Sequence, residues 1–373
     1  MKRKFFDVSL IAAAYLLLFG LGLGVILLPK EDFSEEENRM LATLELPTFA
    51  ELVDGSFSSA VGELYRDRLP LRTSFTAAKA YAELMLFKGE NNGVLFCRDG
   101  YLLEKGEYDD LGTAKKNIEY FSELEAICRE LGVPFVCAVA PRGIDVMEYK
   151  LPEGYRGKYG EIWGILESSG IEYLSLTEPL RSAAEAGEYV WYRTDHHWTS
   201  YGAYIAYREL ADALGYSPYG ADAFAVCEAS DGFLGSVYSK AGCVAQRSDS
   251  VQLYRYTGDE DFTVRIGDSG EEREGFYFTE KLSTKDKYAV FLGGNYSELY
   301  IEKSGGEERE RMLLIKDSYA NAVSPFLALH FDIELVDLRY FEGGRDALCE
   351  KIGNADKVLL LHGIDTVATT RLY

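Results

Sequence analysis

A carboxylate and an imidazole with the spacing of a catalytic pair occur in the segment RTDHHWTSYGAY, where Asp195 precedes His197 by two positions. In an extended segment, side chains at positions i and i+2 point the same way, so Asp195 and His197 would share one face and His196 would take the other. The carboxylate could then orient the imidazole of His197 and leave its second ring nitrogen free as a base. The alternative is an ordinary polar loop in which Asp195 caps the helix beginning near Thr199.

The base needs a nucleophile, and the best candidate is Ser318. It follows the apolar run from Met312 to Lys316 and precedes a second apolar segment. A serine between the carboxyl end of a strand and the amino end of a helix lies at the rim of an α/β sheet, where sites are usually built. Amides at the start of that helix can stabilise a developing oxyanion. A serine that only caps the helix has the same local pattern, but the D-x-H pair favours the nucleophile.

Four more residues are candidates for oxyanion or substrate binding: Gly294, Asn295, Tyr319 and Arg339. Glycine in FLGGNYS lets the backbone approach a ligand and Asn295 could donate to an oxyanion, although a simple turn would also explain the glycines. Arg339 follows another apolar run in VDLRYF and could contact substrate, although a surface ion pair is the usual role of such an arginine. Tyr319 directly follows Ser318.

A metal site at Asp195, His196 and His197 is another interpretation of the same motif. Adjacent histidines in an extended segment face opposite ways, and no further cluster of ligands accompanies them. We therefore predict neither a metal nor another cofactor.

Short apolar runs that alternate with amphipathic segments must position these residues. The runs VPFVCAVAP, IEYLSL, RMLLIK, IELVDL and KVLLLHG have the composition of strands buried on both faces. The segments between them have apolar residues at helical spacing, and several end in glycine. This alternation predicts an α/β fold with a mostly parallel sheet flanked by helices. The stretch 216–288 interrupts the alternation and predicts a β-rich insertion.

The motifs TDHHW, LLIKDSYAN, FLGGNYS and VDLRY together resemble the bacterial DHHW protein family. That family is related to the SGNH-hydrolase-like polysaccharide O-acetyltransferases of the alginate O-acetylation type. SEEENRMLATLELPTF, YRDRLPLR and GVLFCRDGYLLE extend the resemblance over nearly the whole chain. It implies an SGNH-like domain with a triad of Ser318, His197 and Asp195. Where the family often has Pro-Asn-Lys, this chain has Pro141-Arg142-Gly143, so no role is carried over to that loop.

The resemblance also implies an activity, namely transfer of O-acyl groups, foremost O-acetyl, on a cell-surface or exported polysaccharide. Ser318 would accept the acyl group, His197 would move protons and Asp195 would orient His197. Cytoplasmic acetyl-CoA cannot simply serve as donor outside a membrane, so the implied partner is a multi-spanning membrane acyltransferase. An esterase with the same triad and a non-catalytic scaffold of a polysaccharide assembly complex are the alternatives.

The N-terminus predicts a membrane anchor. Lys2, Arg3 and Lys4 precede an apolar run from Val8 to Leu28 that is as long as the roughly 20 residues a helix needs to cross a bilayer. A cleaved signal peptide would have a shorter apolar region and a small-residue cleavage site. Basic residues before the run and acidic residues after it place the N-terminus in the cytoplasm and the rest of the chain outside.

These features predict three regions. Residues 1–29 would be a cytoplasmic tip and transmembrane anchor, 30–88 a juxtamembrane segment, and 89–373 an SGNH-like catalytic domain. The formal net charge of −22 would repel a polyphosphate backbone, which excludes nucleic acid as a partner. The six cysteines show no CxxC spacing, so cysteine metal sites are not expected, and their disulfide pairing stays open.

Overall fold

The computed structural model describes residues 2–27, 33–34, 39–43, 47–242, 244–245, 247–267, 269–305 and 308–373. The chain divides into two compact units. One comprises Met1–Asn92 with Ser239–Val244, and the other comprises Gly93–Tyr238 with Ala245–Tyr373. Leu28, the last residue of the predicted apolar run, and Cys243 lie outside the described residues.

Helices and strands are numbered in chain order. The helices are α1 Lys2–Leu27, α2 Phe49–Asp54, α3 Ser56–Asp67, α4 Arg72–Met85, α5 Gly112–Leu131, α6 Gly143–Val146, α7 Glu161–Ser168, α8 Thr177–Glu185, α9 Ser200–Leu214, α10 Ser236–Lys240, α11 Ala320–Leu327, α12 Gly344–Asn354 and α13 Ile364–Thr369. The strands are β1 Phe33–Ser34, β2 Arg39–Met40, β3 Glu90–Asn91, β4 Val94–Phe96, β5 Leu102–Glu104, β6 Phe135–Ala140, β7 Leu174–Ser175, β8 Phe224–Phe233, β9 Asp249–Tyr256, β10 Phe262–Ile266, β11 Glu272–Glu274, β12 Glu298–Lys303, β13 Arg311–Lys316, β14 Asp332–Val336 and β15 Lys357–Gly363.

The first unit is mainly helical. Residues 57–87 have apolar side chains at helical spacing and form most of α3 and α4, which are separated at Pro70, a residue that cannot continue a helix. The apolar run at the N-terminus forms α1. Within the part of the chain that the structure describes, no helix combines the length and the apolar character needed to cross a membrane.

The second unit is built on an eight-stranded sheet with the order β11-β10-β12-β14-β13-β15-β6-β7. The five strands from β14 to β7 run parallel to one another, whereas β12, β10 and β11 continue the sheet in antiparallel pairs. The predicted mixed α/β class is confirmed. Of the β-rich stretch 216–288, β10 and β11 extend the main sheet, and β8 and β9 form an antiparallel hairpin of their own.

The central strands read as continuous apolar runs because the sheet is buried on both faces. In β13, Met312 and Leu314 pack into one apolar cluster, whereas Leu313 and Ile315 pack into the cluster on the opposite face. This alternation follows from the two-residue period of a strand. Helices α6, α8, α9 and α11 contribute to the first cluster, and α5, α7, α12 and α13 contribute to the second.

Two element ends position the candidate site residues. β13 ends at Lys316, so Asp317 and Ser318 lie between its carboxyl end and α11. The D-x-H segment directly precedes α9, whose N-cap is Thr199, with a side-chain oxygen that accepts a hydrogen bond from the Gly202 amide at 3.2 Å. Thr199 therefore supplies the cap that Asp195 would supply in the polar-loop interpretation.

Cysteines do not staple the described part of the fold. Cys97, Cys128, Cys137, Cys227 and Cys349 are free thiols.

Candidate active site

The structure brings Asp195, His197 and Ser318 together in one hydrogen-bonded row. Asp195 Oδ1 lies 2.6 Å from Nδ1 of His197, and His197 Nε2 lies 2.8 Å from Ser318 Oγ. Asp195 and His197 are buried, whereas Ser318 is partly exposed. A buried carboxylate, an imidazole and a reachable hydroxyl in this order have the geometry of a nucleophile with its base and orienting group.

The D-x-H segment differs in shape from the sequence expectation. Its backbone bends between residues 193 and 197, and the His197 amide donates to Asp195 Oδ1 at 3.1 Å. The rings of His196 and His197 consequently lie side by side, with centroids 3.8 Å apart and planes inclined by 37°. The prediction that the two imidazoles face opposite ways is wrong, because a side-chain to backbone hydrogen bond turns the segment.

Asp195 is fixed by four donors. Besides the two from His197, the amide and the hydroxyl of Ser236 contact Asp195 Oδ2 at 2.8 and 3.0 Å. The Ser236 hydroxyl has a single proton to donate. When it donates this proton to Asp195, its oxygen accepts a hydrogen bond from Nδ1 of His196, 2.6 Å away. Burial favours the neutral carboxyl, but His196, His197 and these hydrogen bonds hold the pKa of Asp195 well below its usual range.

His197 is kept neutral and oriented. Tyr288 stacks on its ring, with centroids 3.8 Å apart and planes inclined by 6°. Burial is the main reason why the pKa of His197 is lowered to about 4, and the neighbouring His196 lowers it further. The negative charge of Asp195 acts in the opposite direction but does not outweigh them. At neutral pH the imidazole is therefore unprotonated and able to accept the Ser318 proton through Nε2.

Ser318 lies in a turn held by the preceding carboxylate. Asp317 accepts from the Tyr319 amide at 3.0 Å and from the Gly363 amide at 2.7 Å, which ties the end of β13 to the end of β15. Burial raises its pKa, but His362, Arg339 and hydrogen bonds outweigh burial and leave the pKa of Asp317 below its ordinary value. Within the described residues, the Ser318 amide has no hydrogen-bond partner, so it is available to an oxyanion.

The FLGGNYS turn lies beside the turn that contains Ser318. Gly294 has φ 126°, a conformation that only glycine adopts readily. The Gly294 carbonyl accepts a hydrogen bond from the side-chain Nδ2 of Asn321 at 3.2 Å. The backbone amide of Asn321 donates to the Ser318 carbonyl, also at 3.2 Å. Asn295 follows in an exposed position. Gly294 and Asn295 are therefore held to the same helix start as Ser318.

Tyr319 and Arg339 are held by protein groups. The Tyr319 hydroxyl donates to the His196 carbonyl at 2.6 Å, and its amide already donates to Asp317, so Tyr319 supports the loop. Arg339 binds both carboxylate oxygens of Asp337, at 2.8 and 2.6 Å. Arg339 is thus in an ion pair, but not in the surface pair of the alternative interpretation, because Asp337 is fully buried and the Arg339 side chain is only 19% exposed.

The sequence did not single out Asp249, which is distant in sequence from the D-x-H segment but hydrogen-bonds to its start. This fully buried carboxylate accepts from the amides of Arg193 and Thr194 at 2.9 and 2.8 Å and from the Thr194 hydroxyl at 2.5 Å. Burial raises the pKa of Asp249. No local motif identifies this residue, because β9 brings it from 55 positions along the chain.

The closeness of the imidazoles brings three potential metal ligands together. Single ligand atoms of Asp195, His196 and His197 lie within 4.8 Å of one another. Two of these residues, however, hydrogen-bond to each other at 2.6 Å, and His196 is hydrogen-bonded to Ser236. A metal ion would have to replace the contacts that align His197 with Ser318.

Two family profiles match stretches of the chain that contain site residues. The profile of the DHHW protein family matches residues 171–336, and that of the SGNH hydrolase-like domain of the acetyltransferase AlgX matches residues 90–230. The probable alginate O-acetylase AlgJ of Pseudomonas fluorescens is 26% identical over 174 residues, which cover 44% of this chain and 44% of that relative. The chain thus spans less than half the length of this curated relative. The resemblance to the DHHW family that the motifs indicated is confirmed.

Solved structures share the fold. A DHHW family protein from Eubacterium siraeum superposes with a TM-score of 0.61 at 21% identity, covering 76% of this chain and 94% of that one. PatB1 from Bacillus cereus superposes with a TM-score of 0.62 at 20% identity, covering 75% of this chain and 98% of that one. At this identity the likeness concerns the fold alone.

Proposed function

We propose that this relative of the DHHW family is an O-acyltransferase, foremost an O-acetyltransferase, that modifies a cell-surface or exported polysaccharide through Ser318, His197 and Asp195. The observation that carries the proposal is the hydrogen-bonded row from Asp195 through His197 to the partly exposed Ser318. The AlgJ relatives, which are named as probable alginate O-acetylases, support the acyl group and the polymer class.

The chemistry begins with the hydroxyl of Ser318. Its oxygen attacks the carbonyl carbon of the acyl donor while its proton passes to Nε2 of His197. The resulting oxyanion is stabilised by the unpaired Ser318 amide and by the exposed side-chain amide of Asn295. When the intermediate collapses, the leaving oxygen departs with the proton from His197 and Ser318 carries the acyl ester.

The second half repeats these steps with a sugar hydroxyl. His197 takes the proton of the acceptor hydroxyl as its oxygen attacks the acyl carbon, and then returns that proton to Ser318. Asp195 stabilises the imidazolium form in both halves and keeps Nδ1 protonated. Water in place of the sugar would make the same site an esterase.

We also propose that the site works outside the cytoplasm, with the apolar run from Val8 to Leu28 in the sequence as its anchor. Lys2, Arg3 and Lys4 before the apolar run support this topology, as do the exposed apolar side chains of Leu16 and Phe19 on α1. The acyl donor would then be a multi-spanning membrane acyltransferase. A reporter fused after Tyr373 would be active only in the extracytoplasmic compartment, and activity in the cytoplasm alone would contradict the topology.

An acceptor-competition assay tests the proposed activity. The full chain in detergent is incubated with p-nitrophenyl acetate, with and without neutral or uronic-acid oligosaccharides, and the sugars are analysed by mass spectrometry. A transferase yields O-acetylated sugar that requires Ser318 and is absent in Ser318→Ala. Acetate release with no acetylated sugar would identify the esterase instead, and an inactive wild-type chain would favour the scaffold.

A further inference from the structure

Lys316 is a buried lysine directly beneath the turn that contains Ser318. Its side chain is 3% exposed, and it ends β13 two residues before Ser318. Burial lowers the pKa of Lys316 to about 8, so the ammonium form still predominates at neutral pH. The catalytic steps described above do not use this residue, although a buried charge is costly unless it is paired or hydrogen-bonded.

The ammonium group determines which way two neighbouring amides face. Lys316 Nζ lies 3.2 Å from Asn295 Oδ1 and 2.8 Å from Asn321 Oδ1. A lysine ammonium carries three donors and no acceptor, so only the oxygen end of each amide can face it. The orientation of both side-chain amides therefore follows from the charge of Lys316.

Asn321 adds a second constraint on Asn295. With its oxygen on Lys316, its Nδ2 group donates to Asn295 Oδ1 at 3.2 Å and to the Gly294 carbonyl at 3.2 Å. Asn295 Oδ1 thus accepts two hydrogen bonds. The NH₂ group of Asn295 has no partner within the described residues and belongs to an exposed side chain.

We propose that Lys316 is a positioning residue that, with Asn321, locks the amide of Asn295 so that its NH₂ group serves as an oxyanion donor for Ser318. The inference rests on the proposed acyl transfer and adds a group that the triad does not contain. Without the ammonium group, the Asn295 amide could turn over or leave the site, and a carbonyl oxygen in place of the NH₂ would repel the oxyanion.

The surrounding charges allow Lys316 to be replaced. Asp337 Oδ2 lies 3.6 Å from Lys316 Nζ, but the Asp337 carboxylate is also held by Arg339, whose Nε donates to Oδ1 and whose Nη2 donates to Oδ2. Lys316→Met therefore leaves Asp337 with a paired partner, and methionine fills a similar volume. Lys351→Met is the matched control, because Lys351 is likewise a paired lysine, bound to Glu298 and Glu334, but contacts none of the site residues within the described part of the chain.

A double-mutant cycle on the full chain tests the inference, with kcat and KM for p-nitrophenyl acetate measured for Lys316→Met, Asn295→Ala and the double variant. Asn295→Ala should lower kcat about 10²-fold, the typical effect of removing one oxyanion donor. Lys316→Met should lower kcat at least about tenfold in the wild-type background, with KM nearly unchanged, but by no more than about twofold when Asn295 is already alanine. Lys351→Met should leave kcat within about twofold of wild type.

Other outcomes overturn the inference. Equal losses from Lys316→Met in both backgrounds would show that Lys316 acts on stability or on another group, and no loss in either would remove its role. If Lys316→Met does not fold, Asn321→Ala replaces it in the same cycle and should show the same dependence on Asn295. Ser318→Ala separates the two proposals: full activity in that variant contradicts the proposed function, whereas an inactive Ser318→Ala with an additive cycle contradicts only the role of Lys316.

Discussion

Gly235→Ala should disable the site without removing any functional atom. A Cβ at Gly235 would lie 2.3 Å from Asp195 Oδ2 and 2.4 Å from Asp195 Cβ, closer than the 3.0 Å that real Cβ contacts respect. The backbone of Gly235 does not adopt a positive φ, so alanine adds no backbone strain and the effect is steric. The carboxylate must retreat by about 1 Å, because the packed interior cannot absorb the overlap.

The magnitude follows from what Asp195 does for His197. A misplacement of about 1 Å typically costs about 10²-fold in rate, and losing the orienting role of the carboxylate altogether costs about 10⁴-fold in a well-studied serine protease. We expect kcat for p-nitrophenyl acetate to fall about 10²-fold with KM little changed. The unfolding free energy should fall by about 1–3 kcal/mol, as for other overpacked sites.

The matched control is Gly232→Ala, three positions earlier, where an added Cβ meets no atom within 4 Å. It should keep kcat within about twofold of wild type. Circular dichroism and thermal melts establish that both variants are folded. A folded Gly235→Ala variant with kcat as high as that of Gly232→Ala would refute the orienting role of Asp195.

Two more predictions concern the histidines. His197→Ala should abolish turnover, with a loss in kcat on the order of a millionfold. His196→Ala leaves the hydrogen bonds of His197 to Asp195 and Ser318 in place and should lower kcat less. Complete loss of activity in both variants, together with metal bound to the wild type alone, would indicate a metal centre. Because burial lowers the pKa of His197 to about 4, kcat/KM should hold from neutral pH down to about pH 5 and fall below that, and a decline centred near pH 6.5 would contradict the assigned environment. Between about pH 6.5 and pH 4, His197 binds fewer protons in the native state than in the unfolded chain. The free energy of unfolding should therefore be unaffected by His197 above about pH 6.5 and should fall by roughly 3 kcal/mol towards pH 4. Urea titrations should show a smaller decrease of the unfolding free energy with falling pH in His197→Ala.

Much of the fold could be read from the sequence because the central strands are buried on both faces. RMLLIK and KVLLLHG coincide with β13 and β15, since a strand that packs on two apolar clusters must be apolar at every position. Helix C-termini could be predicted where a glycine in a left-handed conformation ends the helix, as at Gly132 after α5 and Gly215 after α9.

The details of the site were harder to predict because they depend on contacts distant in sequence. The spacing of Asp195 and His197 was informative, but the bend that brings His196 beside His197 is held by Asp249 and Ser236 as well as by local hydrogen bonds. A two-residue period describes extended strands and not a turn closed by side-chain hydrogen bonds.

Lys316 shows a related limit. Lysine is rarely buried without a partner, and the partners of Lys316, namely Asn295, Asn321 and Asp337, come from three other segments of the chain. Hydrogen-bond partners of this kind have no periodicity in the sequence.

The most direct test of the proposed mechanism is whether Ser318 carries the acyl group. The full chain in detergent is mixed with p-nitrophenyl acetate, quenched in acid within the first turnover and digested for peptide mass spectrometry. We expect one acetyl group on the peptide containing Ser318, its loss in Ser318→Ala, and its faster discharge when an oligosaccharide acceptor is added. An unmodified Ser318 in a chain that still acetylates sugar, or undiminished acetylation by Ser318→Ala, would contradict the covalent mechanism.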